Sequence, residues 1–382
     1  KDQVERLMSY GVTSADYIAS IRKAKEQRSV KQKIDNGTLK LLYVSPEWFN
    51  KSALELSKCR IRAYVVDEAH CISKWGPDFR RSYLALGQVM EQLDVARPEG
   101  PWPARHAFSS TATENVQKDI RRYLALQDPE CIVGDFDQAN LVHRVHTIPS
   151  GMRGTQQVWD HIVEMCQRAK VGIIFCKTIG EVENLHDKLE RQGFNVARYH
   201  ASLAASERTA TSEAWASGDL DIMVATIAFS MGIDRQDVRF VLHTSLTDSI
   251  EDYIQQAGRA GRDGALSEAV LCFRDTDWQL GRRSWTSADP VVEARRMQQL
   301  NDVISYACCT CCRRVELSKH FGFVRQGDCG ACDVCFGQAE VGKLEYRMAW
   351  ELVNCVHEAR SRGLFDISTH ADVLAGSSRL RR

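Results

Sequence analysis

The chain has 382 residues, enough for two or three domains, and its 44% hydrophobic share is ordinary for a globular protein. Fifty Lys and Arg balance 50 Asp and Glu, so any surface that attracts nucleic acid must be local rather than global. No apolar run reaches the ~18 residues of a membrane span, and no signal-peptide pattern follows Lys1.

In the first half, β-rich runs alternate with helical patterns. Residues 39–45, 62–66 and 106–109 are predicted strands, the second of them buried; 82–93 and 114–126 are predicted helices. Such alternation points to parallel sheet covered by helices. The pattern lapses between about Pro129 and Gly154, and Pro149-Ser150-Gly151 punctuates it, so a linker is expected there. The alternation then restarts. Strands are predicted at 171–176, 196–200, 222–226, 238–244 and 269–273, and helices at 181–192, 206–217 and 250–257. Beyond Asp275 only helical segments follow, up to Tyr306 and again from Leu344 to the end.

The sharpest chemical signal is Val65-Val66-Asp67-Glu68-Ala69-His70, at the C-terminal end of a predicted strand. Ligands of open α/β sheets bind at that edge. An Asp there can hold Mg²⁺ on nucleotide phosphates, and the neighbouring Glu can orient and deprotonate an attacking water. The bland alternative is a strand followed by an acidic helix cap.

A second signal is Gln255–Gly264, which reads QQAGRAGRDG. Arg259 and Arg262 are spaced to share one face of a helical turn, and a guanidinium matches phosphate oxygens bidentately. Alone, this would read as a solvated basic turn.

Seven of the 14 cysteines crowd between Cys308 and Cys335, which favours metal over disulfides. Cys329, Cys332 and Cys335 have the spacing of thiolates converging on one ion, and a fourth ligand would complete tetrahedral Zn²⁺. Spacing alone does not choose it from Cys308, Cys309, Cys311 and Cys312. Four thiolates leave no open position, so the role is structural. Cys59, Cys71, Cys131, Cys166, Cys176 and Cys272 lie in apolar segments and are expected to be buried thiols, as are the three cluster cysteines left over.

Taken together, Asp67–Arg80 (DEAHCISKWGPDFR) closely resembles motif II and the aromatic-rich loop of the RecQ helicase family. The resemblance continues along nearly the whole chain in the family's order. Lys1–Val4 is similar to the end of motif Ia, Tyr43–Glu47 to motif Ib, and Thr111-Ala112-Thr113 to motif III. Gly172–Cys176 resembles motif IV, Ala225–Asp234 motif V and Gln255–Gly264 motif VI. Cys312-Arg313-Arg314 with Phe321-Gly322 resembles the opening of the family's zinc module, which makes Cys312 the fourth ligand.

The resemblance implies an α/β protein of two RecA-like parallel-sheet domains, 1–140 and 141–275. A helical zinc-binding module at 276–340 and a partial winged helix at 341–382 would follow. It implies an ATP-dependent 3′-to-5′ DNA helicase acting in recombination and repair, with ATP, Mg²⁺ and Zn²⁺ as cofactors. Its partners would be single-stranded DNA and duplex junctions, inside the cell: in the nucleus of a eukaryote, or the cytoplasm and nucleoid of a bacterium. Asp67, Glu68, His70, Gln255, Arg259 and Arg262 would do the chemistry, with Arg262 as the arginine finger. Thr111, Ala112, Thr113, Gly232 and Asp234 would shape the nucleotide cleft and couple it to DNA. Trp75, Phe79, Arg80, Ser45 and Thr226 would bind DNA, the aromatic faces stacking on unpaired bases. The family usually has Gln where Lys74 stands and His where Pro77 stands, and Pro fixes φ and removes a donor.

No G-x-x-x-x-G-K-[ST] phosphate loop occurs in the sequence. In the family that motif lies upstream of motif Ia, so the expectation is a fragment that hydrolyses ATP poorly by itself. The alternative is a catalytically inactive DNA-binding remnant.

Overall fold

Every strand pair among the described residues is parallel. Parallel neighbours need long crossovers, and helices supply them. The computed structural model describes residues 2–18, 24–73, 80–96, 101–134, 138–149, 151–229, 235–274, 277 and 290–339. The chain divides into two units, Lys1–Phe136 and Asp137–Arg382.

The first unit runs α1 (Asp2–Ser9), β1 (Ala15–Ile18), α2 (Ala24–Asp35), β2 (Leu41–Val44), α3 (Pro46–Ser52), β3 (Ala63–Val66), α4 (Arg81–Leu84), α5 (Leu86–Val95), β4 (Ala104–Ala107) and α6 (Glu114–Tyr123). β1 pairs with β2, and β3 with β4. Phe49, Tyr64, Val66, Ile72, Leu93 and Val116 form its core with their neighbours. β3 is not the fully buried strand expected. It alternates, with Tyr64 and Val66 inward and Val65 62% exposed. The helix expected at 82–93 is broken at Ala85 into α4 and α5. The next one stops at Tyr123, because Ala125 turns left-handed (φ 49°) and Leu126 N–H reaches back to the Arg121 carbonyl.

The second unit runs β5 (Leu141–Ile148), α7 (Met152–Ala169), β6 (Gly172–Phe175), α8 (Ile179–Arg191), β7 (Val196–Tyr199), α9 (Ala205–Ser217), β8 (Ile222–Ala225), β9 (Phe240–His243), α10 (Ile250–Ala257), β10 (Ser267–Arg274), α11 (Pro290–Cys308) and α12 (Arg313–His320). Its six strands lie in the order β5-β10-β9-β6-β8-β7. β6, β8 and β9 are buried at every residue, as strands sandwiched between helices must be. Thr178 and Ser249 cap α8 and α10, each hydroxyl accepting a backbone N–H of the first turn.

The expected linker is a correction. Its middle is β5, which pairs with β10 from Leu141↔Ser267 to Ile148↔Arg274. The sequence LVHRVHTI hides a strand because His143, Arg144 and His146 interrupt its apolar pattern. Tertiary partners absorb that polarity: His143 is buried against Tyr253, with Nδ1 2.9 Å from the Tyr253 hydroxyl.

No described helix is long and apolar enough to cross a membrane. The expected winged-helix start (341–382) and the loop carrying Lys74, Trp75, Pro77 and Phe79 lie outside the described residues, as do Gly232 and Asp234.

Candidate functional site

The cysteine module is built around a turn. Cys312 is the N-cap of α12, and Cys329, Cys332 and Cys335 arrive on the loop after it. The four Sγ atoms all lie within 4.8 Å of one another. Cys332 and Cys335 are 3.4 Å apart and Cys329 and Cys335 3.7 Å, near the ~3.8 Å edge of a tetrahedron with Zn–S bonds of about 2.3 Å. Backbone N–H groups of Cys329, Arg313 and Ala331 point at the sulfurs of Cys312, Cys332 and Cys329. Such donors favour thiolates, and burial pushes the Cys332 thiol up when no cation is present. The donor set therefore fits a dication that ionises all four. Of the remaining cysteines, Cys308 and Cys309 are buried as expected, but Cys311 and Cys131 are exposed and Cys59 is partly so.

The residues after Cys312 fasten the module to the second sheet. The Arg313 guanidinium is fully buried. It forks onto Asp333 at 2.8 and 3.0 Å and donates to the Tyr306 carbonyl at 2.6 Å. Asp333 in turn accepts the Val145 N–H at 3.0 Å, and its own N–H donates to the His143 carbonyl. The edge strand β5 is thus capped rather than left open to pair with another chain. Arg314 donates to the carbonyls of Gln138, Ala139 and Leu141. His143, which burial pulls down to about 3, is neutral and adds no charge to this region.

In the first unit, β3 ends at Val66 and delivers Asp67 and Glu68 to its C-terminal edge, both exposed. Asp67 Oδ1 accepts the Glu68 N–H at 2.9 Å. Glu68 is left-handed (φ 49°), an uncommon conformation for a residue with a Cβ. It opens the 3-10 turn Ala69–Ile72, in which His70 is buried. His70 Nδ1 lies 3.0 Å from Ser109 Oγ and 3.4 Å from a Glu68 carboxylate oxygen. Ser109 Oγ also accepts the Thr111 N–H at 3.3 Å. One hydroxyl therefore joins the DEAH segment to Thr111–Thr113. Ser109 was missed because it reads as the end of a strand. Thr111 is buried, and Thr113 is the N-cap residue of α6. Ser45 caps α3, accepting the Trp48 N–H at 3.3 Å, and Arg80 is exposed at the start of α4. Thr226 follows β8 and opens the turn Ile227–Phe229.

The glycine-rich turn corrects a second expectation. α10 ends at Ala257, and Arg259 and Arg262 lie on the turn beyond it rather than on one helical face. Gly258 closes the helix and Gly261 takes φ +69°, so Arg259 is buried while Arg262 is exposed. Gln255 is partly exposed; its neighbour Gln256 is buried, with Oε1 3.0 Å from His243 Nε2.

Two domain families match this chain: the helicase conserved C-terminal domain at residues 156–264 and the RecQ zinc-binding domain at 275–336. The second spans all four clustered cysteines. An ATP-dependent DNA helicase RecQ of Pasteurella multocida is 37% identical over 341 residues, which are 88% of this chain and 51% of that protein. Most of this chain is similar to proteins of the RecQ helicase family. A Bacillus subtilis RecQ is 31% identical, covering 99% of this chain and 62% of its own length. ATP-dependent DNA helicase Q1 of Mus musculus is 32% identical, covering 88% and 52%. The chain spans about half the length of the curated relatives it matches. The fold is also that of more distant helicases. The DEAD-box helicase Mss116 bound to single-stranded RNA aligns with TM-score 0.58 at 15% identity, over 84% of this chain and 69% of that one. The DUF1998 helicase MrfA bound to DNA and AMPPNP aligns with TM-score 0.58 at 15% identity, over 85% and 48%. The RecQ zinc-binding match and the four-sulfur cluster agree on Zn²⁺ as the ion of the module.

Proposed function

We propose that this chain is the motor core of an ATP-dependent 3′-to-5′ DNA helicase that unwinds duplex DNA in recombination and repair. The observation that carries the reading is the DEAH segment at a strand's C-terminal edge, tied through His70 and Ser109 to Thr111–Thr113. Its similarity to proteins named ATP-dependent DNA helicase RecQ supports the same reading.

In this account Asp67 holds the Mg²⁺ of bound ATP, and Glu68 orients and deprotonates the attacking water. A left-handed Glu68 carries its carboxylate off the line of the strand, beside His70. His70 relays the state of that carboxylate to Ser109 and so to the segment that couples nucleotide to DNA. Arg262, exposed on its turn, reaches the γ-phosphate as the finger. Arg259 and Gln255 hold phosphate or bridge to DNA, and Gly232 and Asp234 shape the cleft. Trp75 and Phe79 stack on unpaired bases beside Arg80, while Ser45 and Thr226 meet the DNA backbone. The division into domains at 1–140, 141–275, 276–340 and 341–382 belongs to the same proposal.

The test is strand separation by the full-length protein that contains this chain, with ATP and Mg²⁺, on duplexes carrying a 3′ or a 5′ single-stranded tail. The 3′-tailed duplex should be unwound and the 5′-tailed one left intact. Equal unwinding of both, or none with zinc bound, refutes the proposal.

A further inference from the structure

The turn that carries Arg259 and Arg262 is held from outside by an ion pair of Arg239 with Asp263 at 2.6 Å and by the side chain of Asn140. Asn140, just before β5, donates through Nδ2 to the carbonyls of Gly261 at 2.7 Å and Ala265 at 2.8 Å. Its own carbonyl accepts the Ser267 N–H at 2.9 Å. Gly261 completes the grip, its N–H donating to the Val238 carbonyl at 2.9 Å. A Cβ on Gly261 would stand 2.4 Å from Asn140 Nδ2, so the amide fills the space that glycine leaves.

Asn140 is fixed in turn by the zinc module. The Arg314 guanidinium collects the carbonyls of Gln138, Ala139 and Leu141 at 2.9–3.1 Å, which bracket Asn140 on both sides. Arg314 lies two residues past the ligand Cys312, in the first turn of α12. A planar fork can serve several carbonyls at once in a way an ammonium cannot.

We propose that Asn140, clamped by Arg314 beside the metal ligand Cys312, is the positioning residue for the arginine-bearing turn 258–264. The metal module thereby sets the geometry of residues that the proposed motor uses for phosphate. This inference rests on that motor reading for its catalytic consequence but not for its structural one. Asn140 touches neither phosphate nor metal; it acts by fixing two carbonyls. Metal loss frees Arg314, the 138–141 segment relaxes, and the turn loses the Asn140 anchor, keeping only the Arg239–Asp263 pair and the Gly261 N–H bond to Val238.

The experiment is hydrogen exchange on the full-length protein, followed in peptides covering 258–267, with zinc content measured on the same samples. Loss of the two Asn140 bonds should speed exchange in that turn by about tenfold, the equivalent of one or two ordinary hydrogen bonds. Asn140→Ala should do so with zinc retained and the rest of the sheet still protected. Asn140→Asp keeps the shape but sets an oxygen against two carbonyls, and should do at least as much. Arg314→Lys should give a smaller change in the same peptides. If the motor reading holds, kcat for ATP falls in Asn140→Asp with little change in KM. If that reading fails there is no turnover to follow, and the exchange data still decide this proposal. Unchanged exchange in the turn overturns it, as does a loss of protection spread evenly over the second unit. Should Asn140→Ala unfold the protein, the isosteric Asn140→Asp decides by the same readings.

Discussion

The cysteine module and the DEAH segment are sites of opposite kinds. The first closes on itself. Cys312, Cys329, Cys332 and Cys335 come from one stretch of chain, and their sulfurs already converge. The second stays open: Asp67 and Glu68 are exposed carboxylates, and Glu68 lies beside His70, which in turn meets Ser109. A site whose donors are neighbours in sequence is completed by local folding. A hydrolytic site that draws on distant segments is completed only when nucleotide and the other segments are in place. The two should therefore fail differently.

The largest expected effect lies in the closed site. Structural zinc contributes roughly 10–16 kcal/mol of apparent binding energy in small peptides, as much as a domain's whole stability. Cys332→Ser should release the metal and unfold the module, read as lost zinc and fast exchange over 309–339. Cys308→Ser, a buried thiol outside the cluster, should keep both. Zinc retained at full stoichiometry in Cys332→Ser would break the contrast.

Next comes Arg262, the proposed finger. Arg262→Ala in the full-length protein should cut kcat for ATP by about 10³–10⁵-fold, as loss of an arginine finger does. Zinc content and thermal stability should stay as they were, because Arg262 is exposed. Arg262→Lys should recover little, since an ammonium lacks the planar fork. A mild loss in Arg262→Ala would move the finger to Arg259.

What was legible in the sequence follows the same divide. The Cys-x-x-Cys-x-x-Cys spacing needs no tertiary knowledge, and the buried strands β6 and β8 announce themselves as unbroken apolar runs. β5 does not, because His143 and Arg144 find their partners in α10 and the zinc module. The shared face for Arg259 and Arg262 failed for a local reason: Gly258 caps the helix before either arginine, and Gly261 turns the chain between them. Ser109, Asn140 and Tyr253 have no motif signal at all. Their roles lie in hydrogen bonds across long sequence separations, which periodicity cannot register.

A smaller effect should come with pH. Burial pulls the His320 imidazole down, but Glu251 on α10, 3.1 Å away, and Asp302 on α11 outweigh it and leave it raised above 6.5. Glu316 on its own helix adds to this, while Arg295 faces Glu251 from α11. A raised imidazole contributes its stability fully below the unfolded value and loses it as pH climbs through the folded one. Heating curves from pH 6 to pH 8 should thus fall more in the native protein than in His320→Asn. Parallel curves would remove this tie between α10 and α12.

The most direct measurement is ATP turnover by the zinc-loaded, full-length protein, with and without single-stranded DNA, compared with Glu68→Gln. Turnover should rise with DNA in the native protein. In Glu68→Gln, kcat should fall by about 10²–10⁴-fold, the usual worth of a general base, with ATP binding and zinc content kept. Native protein that binds zinc and DNA yet hydrolyses no ATP, or Glu68→Gln that turns over as fast as native, would contradict the account.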